Sequence, residues 1–361
     1  MSADLLKAKQ ALSARYLKRG FRDNVVARAA TMSVASAVAA AGSNVHAVGV
    51  GRKIVEGKPT DEMAVRLYVV QKIAPSLLPP RDVLPKTIDG MPTDVIESSP
   101  AFLAANAPRG RRARPAVVGT GSAAAPACTN SRRQRQRPVI AGISVAHRNV
   151  TAGTIGYFCR SVMAGDDPNK IFILSNNHVL ADVNQGLAGD DIYQPGPADG
   201  GAGADHVGEL WRFGRIRLDG SPNRVDAAIA ELLSDVNSST EICMIGAIEA
   251  ARRGVEGMTV RKHGRTSGYT EGVVVDEFYD ALVGMDHNNP NVTALFQDQM
   301  RIETVAPYPA FGLGGDSGSL VVDRDAANAV GLYFAGPESG TYGIANHIAD
   351  VLTDLQVELL T

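Results

Sequence analysis

One short stretch near the end of the chain has the composition of a loop that activates a serine: Gly314-Gly315-Asp316-Ser317-Gly318-Ser319-Leu320. A serine hydroxyl becomes a good nucleophile when a base removes its proton and nearby donors stabilise the developing oxyanion. The N–H groups of Gly315 and Ser317 could be those donors, because glycine at this point leaves room for an approaching carbonyl. Gly-Asp-Ser-Gly also occurs in ordinary turns, so the prediction requires a base and an acid elsewhere.

Two upstream segments supply a candidate base and a candidate acid. His178 follows the apolar run 171–174 at a polar turn, and Asp226 precedes the apolar run 227–230. Taken singly, such a histidine is more often a capped or core residue, and such an aspartate is often a turn residue. The order His178, Asp226, Ser317 is that of the chymotrypsin class and not of subtilisins or α/β-hydrolases. We therefore interpret these three residues as a catalytic triad.

The segments around these residues resemble those of trypsin/chymotrypsin-like serine peptidases. Residues 260–273 are similar to a second-barrel segment of bacterial streptogrisin-like peptidases, although an ordinary glycine-rich hairpin is the alternative. Residues 330–336 look like the strand that follows the serine. The resemblance covers about residues 139–361. Details around His178 and Gly336 look closer to bacterial trypsin-like proteins related to plant narrow-leaf-type peptidases.

The resemblance implies a mainly β fold of two six-stranded antiparallel β-barrels of the chymotrypsin type, preceded by a small α/β N-terminal domain. It implies that His178 is the base, that Asp226 orients it, and that Ser317 is the nucleophile. It also implies an oxyanion hole formed by the N–H groups of Gly315 and Ser317. Such a reaction needs no metal and no cofactor, and we expect none.

The resemblance further implies residues that bind substrate. Phe334, Ala335 and Gly336 are expected to line the cleft, where a peptide would add as a β-strand; a buried core strand is the alternative. The position that holds an acid at the base of the trypsin pocket is Phe311 here. We therefore expect apolar or small side chains before the scissile bond.

The sequence predicts four parts. Residues 1–44 form a helical segment, with an apolar side along 4–28. Residues 45–105 form a small α/β accessory domain, and residues 106–138 form an Arg-rich flexible linker. Residues 139–361 form the peptidase domain, whose tail at 344–360 has the apolar pattern of an amphipathic helix.

The linker has no acidic residue and contains eight arginines. We favour a solvated tether over a nucleic-acid-binding segment, because no aromatic residues are interleaved with the arginines. A processing site is a third interpretation, since in many relatives a new terminus pairs with the residue equivalent to Asp316. The ring of Pro138 makes the Arg137–Pro138 bond a poor peptidase substrate. We therefore predict that Asp316 is satisfied internally, by an arginine or by backbone donors.

Composition restricts the compartment only weakly. The 361 residues have a net charge of −2, which names no partner. The cysteines are few and odd in number, which argues against a disulfide framework and for a reducing compartment: Cys128, Cys159 and Cys243. The uncharged stretch 29–51 is interrupted by polar residues, and the basic region before it is far too long for a signal peptide. We expect a cytoplasmic protein, with secretion as the minority alternative.

We interpret the chain as a serine endopeptidase that acts on a protein or peptide substrate. The alternative is a trypsin-fold regulatory or peptide-binding protein with latent or no activity. A further alternative gives the basic linker the leading role, in a nucleic-acid-associated regulator. We do not expect nucleic acid or a membrane as partners, and a homo-oligomer is left open.

Overall fold

The computed structural model describes residues 2–23, 44–103, 131–286, 289 and 291–361. The predicted helical residues 24–28 and the linker residues 106–130 lie outside the described residues. Strands dominate the regular structure, so the predicted mainly β fold is confirmed. Among the described helices, none has the length and apolar character needed to cross a membrane.

The helices and strands follow one another along three parts of the chain. The part up to residue 103 contains α1 (Ala3–Asp23), β1 (Val45–Val55), β2 (Lys58–Val69), β3 (Thr87–Ile88), β4 (Met91–Glu97) and β5 (Ala101–Leu103). The part from 131 to 286 contains β6 (Val139–Ala141), β7 (Ser144–His147), β8 (Gly153–Thr154), β9 (Tyr157–Ser161), β10 (Phe172–Ser175), α2 (Asn177–Leu180), β11 (Asp191–Tyr193), β12 (His206–Phe213), β13 (Pro222–Asn223), β14 (Ala228–Leu232), β15 (Ser238–Ile242), β16 (Thr259–Gly264) and β17 (Gly268–Gly284). The last part contains β18 (Thr293–Thr304), β19 (Leu320–Asp323), β20 (Ala329–Gly336), β21 (Tyr342–His347), α3 (Ile348–Leu355) and β22 (Val357–Leu359).

The chain divides into two compact units. Unit 1 comprises Met1–Phe102, Arg217–Asn223 and Val275–Arg301, and unit 2 comprises Leu103–Ile216, Arg224–Val274 and Ile302–Thr361. Unit 1 therefore includes parts of β13, β17 and β18 that the sequence interpretation assigns to the peptidase domain. Unit 2 includes residues 131–138, which that interpretation assigns to the linker. The predicted domain boundaries stay a prediction.

Unit 1 is built around a sheet of the order β17-β1-β2-β4-β3. The helix α1 packs against this sheet with residues that recur at three- and four-residue steps, as the sequence predicts. These residues are buried: Leu5, Ala8, Leu12 and Tyr16. Leu282 of β17 and Leu295 of β18 belong to the same apolar cluster. The N-terminal segment and the outer part of the β17–β18 hairpin thus share one core.

Two glycines of β1 are required by close neighbours within unit 1. A Cβ at Gly49 would lie 1.7 Å from Oδ2 of Asp276, and a Cβ at Gly51 would lie 2.3 Å from the guanidinium carbon of Arg66. The Asp276 carboxylate accepts a hydrogen bond from the N–H of Val50 at 2.9 Å. The absence of side chains lets a carboxylate and a guanidinium reach the strand backbone.

The larger sheet of unit 2 has the hydrogen-bonded order β22-β9-β10-β14-β12-β11-β7-β8. Its strands contribute to a large apolar cluster, which includes Phe158, Ile173, Leu174 and Ile229. Within the described residues this order is open from β22 to β8. The predicted count of six strands in each of two closed barrels therefore stays a prediction.

The second sheet of unit 2 has the order β21-β20-β19-β16-β17, the last strand contributing residues 268–274. In β16, Val260, Lys262 and Gly264 are buried while Arg261 is partly exposed. Side chains of a strand alternate between its two faces, so Lys262 lies on the same face as Val260. The strand therefore carries a lysine into the interior of unit 2.

The predicted C-terminal helix is shorter than its apolar pattern indicates. The structure has a helix only at Ile348–Leu355, with β21 before it and β22 after it. Gln356 has a φ of 48°, and a residue in this left-handed region ends a helix. The strand β22 then pairs with β9. The helix prediction is wrong for residues 344–347, which belong to β21, and for residues 356–360, of which 357–359 form β22.

The cysteines differ from expectation. Cys159 is a free, buried thiol. Cys243 is disulfide-bonded, and its partner lies outside the described residues. Disulfides persist mainly in oxidising compartments. The inference of a reducing compartment from the cysteines is therefore not supported.

Replacing Gly49 with alanine should destabilise unit 1, because the added methyl group overlaps Oδ2 of Asp276. Overpacking costs about 1–3 kcal/mol, so we expect the free energy of unfolding in urea to fall by about 2 kcal/mol. Gly203→Ala is the matched control, since a Cβ there meets no atom within 4 Å. Equal losses for the two variants would contradict the close approach of Asp276.

Candidate active site

The register of two strands brings His178 and Asp226 together. The strands β10 and β14 are antiparallel neighbours, with Ser175 opposite Ala228. His178 follows Ser175 within α2, and Asp226 comes just before β14 begins. Because one antiparallel strand ends where its neighbour begins, the two side chains lie at the same edge of the sheet.

The imidazole of His178 contacts the carboxylate of Asp226. Nδ1 of His178 lies 2.5 Å from Oδ2 of Asp226, and the His178 backbone N–H donates to Oδ1 at 3.2 Å. Asp226 is fully buried. A carboxylate can only accept hydrogen bonds, so Nδ1 carries the proton and Nε2 is left as an acceptor. The contact thus fixes both the orientation and the tautomer of the ring.

Two asparagines hold the backbone of Asp226. The Oδ1 atom of Asn346, in β21, accepts a hydrogen bond from the Asp226 N–H at 3.0 Å. Nδ2 of Asn176 donates to the Asp226 carbonyl at 2.6 Å. Both side chains are buried. The sequence analysis assigns no role to either residue, and no local pattern around Asn346 indicates its contact with a loop so distant in sequence.

Ser317 lies in the loop before β19 and faces β20. Its Oγ donates a hydrogen bond to the carbonyl of Phe334 at 3.3 Å. The next residue, Gly318, donates its N–H to the carbonyl of Tyr333 at 2.9 Å. The serine is fully buried. The loop is therefore fixed against the strand in which three of the predicted substrate-binding residues lie.

Thr154, in β8, ties the same loop from the other side. Its N–H donates to the Ser317 carbonyl at 2.8 Å, and its Oγ1 donates to the Gly315 carbonyl at 2.9 Å. A Cβ added to the neighbouring Gly153 would meet both Val179, next to His178, and the Ser317 carbonyl oxygen. The serine loop and the histidine turn are therefore close neighbours. The sequence analysis missed Thr154, because its isolated polar side chain has no recognisable motif.

The predicted link between Ser317 and His178 is absent from this state. Nε2 of His178 is buried and has no hydrogen-bond partner among the described residues. The Ser317 hydroxyl is engaged by Phe334 instead. Buried polar atoms almost always have a partner, so an exception requires an explanation. The structure joins two of the three predicted catalytic side chains and holds the third on an adjacent loop.

The backbone of the serine loop has the features of an anion-binding turn. Gly315 has a φ of 96°, which favours glycine. The Gly314 carbonyl accepts a hydrogen bond from Oγ1 of Thr266 at 2.6 Å. The C=O and N–H of a trans peptide point in opposite directions, so the Gly315 N–H is turned away from Thr266. Within the described residues, the N–H groups of Gly315 and Ser317 have no acceptor.

The carboxylate of Asp316 is satisfied within unit 2. Oδ1 accepts hydrogen bonds from the N–H groups of Thr266 at 2.7 Å and Ser267 at 3.0 Å. Oδ2 accepts from the N–H of Leu313 at 2.8 Å and lies 3.3 Å from Nζ of Lys262. The backbone donors agree with the prediction, but the cation is a lysine and not an arginine. The contacts need no new chain terminus.

Lys262 and Asp316 form a fully buried ion pair. Burial opposes ionisation of Asp316, but the charge of Lys262 and the hydrogen bonds outweigh it and lower the carboxyl pKa. Burial lowers the pKa of Lys262, and the Asp316 charge offsets part of that change. Nζ also donates to Oγ of Ser267 at 2.9 Å. The pair therefore anchors the serine loop to the turn after β16.

An arginine from the predicted linker supports that turn. Nε of Arg132 donates to the carbonyl of Arg265 at 2.9 Å, and Nη2 donates to the carbonyl of Thr266 at 2.8 Å. The turn also bonds elsewhere, because Nε and Nη2 of Arg265 donate to the carboxylate of Asp199 at 2.8 and 2.6 Å. The turn that holds Asp316 is thus fixed at its carbonyls and at one of its side chains.

The predicted substrate-binding residues are all buried: Phe311, Phe334, Ala335 and Gly336. The ring of Phe311 packs edge-on against Tyr333, with centroids 6.0 Å apart. Nζ of Lys262 lies 5.6 Å from the Phe311 centroid and 5.5 Å from the Tyr333 centroid. A role of these residues in binding substrate stays a prediction.

The comparisons with known proteins give similarity at the level of structure. No family model and no curated protein matches the sequence. Protease A of Thermobifida fusca is 16% identical, over 62% of this chain and 98% of that chain, with a TM-score of 0.44. Nocardiopsis protease is 14% identical, over 62% and 99%, with a TM-score of 0.43. An α-lytic protease homologue, N4, is 19% identical, over 61% and 97%, with a TM-score of 0.42. These structures are bacterial serine proteases of the class that the sequence resembles, and similarity at this level says nothing about activity.

Replacing Lys262 with methionine should destabilise unit 2, because Asp316 would be buried without its cation. Breaking a buried pair in this way costs about 3–5 kcal/mol, measured as the free energy of unfolding in urea. An ionised Asp316 stabilises the fold above the ordinary carboxyl pKa, and this stabilisation is lost as pH falls through its lowered folded pKa. Without Lys262 that pKa rises, so acid unfolding should begin at higher pH.

The matched control for this substitution is Lys170→Met, which removes a half-exposed lysine from its pair with Glu231. We expect little change in stability from the control. Adding Asp316→Asn to Lys262→Met should recover part of the loss, because it removes the buried charge. If Lys262→Met and Lys170→Met had the same acid-unfolding curve, the ion pair would not anchor the loop.

Proposed function

We propose that the protein is a serine endopeptidase that cleaves a protein or peptide substrate through an acyl-enzyme. The observation that carries the proposal is the state of His178. Its Nδ1 is held by a buried carboxylate, while its Nε2 is buried, bonds to none of the described residues and lies beside a loop that carries a serine. A general base of this kind requires a fixed tautomer and an empty acceptor nitrogen.

In the proposed reaction, Nε2 of His178 accepts the Ser317 proton as Oγ attacks the peptide carbonyl. Asp226 holds the Nδ1 tautomer and stabilises the imidazolium that forms. His178 then protonates the leaving amine. Water next attacks the acyl-enzyme in the same way, with His178 again as the base. The serine must first leave the Phe334 carbonyl, so its side chain rotates when substrate binds. The base must be neutral to accept the proton.

The proposed oxyanion hole consists of the N–H groups of Gly315 and Ser317. The hydrogen bond from Thr266 to the Gly314 carbonyl supports this role, because it holds the intervening peptide with its N–H on the other side. Preformed donors need no reorganisation during the reaction, and loss of one donor costs about 3 kcal/mol of barrier. The buried Lys262–Asp316 pair supports catalysis indirectly, by keeping the loop in this conformation.

The substrate is proposed to add as a β-strand beside Ala335 and Gly336. The pairing of β19 with β20 begins at Leu320 opposite Leu332, so β19 does not extend alongside these two residues. β20 also pairs with β5, so the proposed peptide would take the part of this edge that β5 leaves open, with its carbonyl directed at the Ser317 loop. In this binding mode, backbone hydrogen bonds would provide the affinity for substrate, and side-chain contacts would provide the specificity.

A regulatory or peptide-binding protein with latent activity is the second candidate. The specific observation in its favour is the hydrogen bond from Ser317 to Phe334, which leaves the serine buried and away from the base. In that case substrate would bind without the serine turning to His178. The cytoplasmic location remains a proposal and draws no support from the cysteines.

Ser317→Ala should abolish covalent labelling by a fluorophosphonate, because the hydroxyl is the proposed nucleophile. Labelling is measured by in-gel fluorescence and by the mass of the adduct. Ser339→Ala is the matched control, since this exposed serine lies outside the proposed site. Asp226→Asn should slow labelling by about 10⁴-fold, since it favours the wrong tautomer of His178. Labelling that persists in Ser317→Ala would exclude the proposed nucleophile.

Peptides with lysine or arginine before the scissile bond should be poor substrates. The pocket position has Phe311 in place of an acid, and the cation of Lys262 lies 5.6 Å from the centroid of its ring. Profiling with a peptide library should therefore give at least about tenfold lower kcat/KM for Lys or Arg than for small apolar residues before the scissile bond. A preference for Lys or Arg would show that another residue forms the base of the pocket.

A further inference from the structure

The outer part of the β17–β18 hairpin, residues 275–301 of unit 1, carries a buried carboxylate whose contacts come largely from the N-terminal segment. Asp276 accepts hydrogen bonds from the N–H of Val50 at 2.9 Å and the hydroxyl of Tyr68 at 3.3 Å. Its third partner is the nearby N–H of Phe278 at 3.0 Å. Without residues 1–102, most of these contacts would be lost while the carboxylate stayed on the hairpin.

A second buried carboxylate on the hairpin is bound by the N-terminal helix. Asp280 forms an ion pair with Lys9 and accepts a hydrogen bond from Oγ of Ser13 at 2.7 Å. Lys9 and Asp280 are both buried. From the hairpin itself, Asp280 accepts hydrogen bonds from the N–H of Asp298 at 2.8 Å and from Nε2 of Gln297 at 3.4 Å. The cation for this charge comes from α1.

The backbone of the hairpin also depends on the N-terminal segment. Residues 280–281 pair with β1 at Val48 and Ala47, and residues 283–284 pair with β5. The Phe102 ring occupies the space beside Gly284, where a Cβ would lie 2.3 Å from it. Removal of these strands would open a sheet edge at 280–284, and open edges promote association with other chains.

From these contacts we infer that residues 1–102 are a permanently retained partner of hairpin segment 275–301. A cut in the linker leaves a two-chain protein whose N-terminal fragment stays bound through the two carboxylates, the paired strands and the shared apolar core. This inference does not depend on peptidase activity, because every contact that carries it lies within unit 1.

The experiment uses the full chain, with a recognition sequence for a site-specific protease introduced between residues 109 and 121. After complete cleavage, the two fragments should elute together on size-exclusion chromatography in physiological salt, at the volume of the uncut protein. They should separate only under denaturing conditions. Elution of the N-terminal fragment by itself, or its release with precipitation of the remainder, would overturn the inference.

A matched pair of substitutions tests the contacts themselves. Lys9→Met removes the buried cation that faces Asp280, whereas Lys53→Met removes a lysine from the more exposed pair with Glu62. In the cut protein, Lys9→Met should raise the dissociation constant of the fragments at least about tenfold, and Lys53→Met should leave it unchanged. Equal dissociation constants for the two variants would overturn the role of the Lys9–Asp280 pair.

Discussion

The hydrogen bond between Nδ1 of His178 and the buried carboxylate of Asp226 is the interaction on which the proposed chemistry depends. A carboxylate without solvent needs donors, and Asp226 receives one from the His178 ring and one from the His178 backbone. The same arrangement leaves Nε2 as the only ring nitrogen able to accept a proton. Burial of a charge and activation of a base are thus two consequences of one contact.

The serine loop is fixed independently, by the second buried carboxylate of unit 2. Asp316 binds three backbone N–H groups and one lysine, and it holds the residues on both sides of it in place. A network this fully bonded favours a single conformation of the loop. The remaining freedom lies in the Ser317 side chain, which bonds to Phe334 in the absence of substrate.

The sequence predicts a candidate site because the parts of that site are local motifs. A glycine-flanked serine, a histidine after an apolar run and an aspartate before one are each visible in a short window, and their order along the chain distinguishes the class of triad. The period of the apolar residues likewise predicted α1, because one side of that helix packs on a sheet.

Contacts between distant segments were not predictable in the same way. Lys262 shares the inner face of β16 with Val260, so the two-residue period of the strand could have indicated that Lys262 is buried. Only the fold shows that Asp316 is its partner. Gly49 is explained by Asp276, a residue more than two hundred positions away. The tail was predicted as one helix because apolar residues in short strands and in a helix give similar spacings.

The most direct measurement is a crystal structure of the protein after reaction with a peptidyl phosphonate. We predict a covalent bond from Ser317 Oγ to phosphorus, with the Phe334 hydrogen bond broken and Nε2 of His178 within hydrogen-bonding distance of an oxygen on phosphorus. A second phosphonate oxygen should accept hydrogen bonds from the N–H groups of Gly315 and Ser317. A structure in which the phosphonate does not react, or in which His178 stays remote from an adduct at Ser317, would contradict the assembly of these groups into one catalytic site.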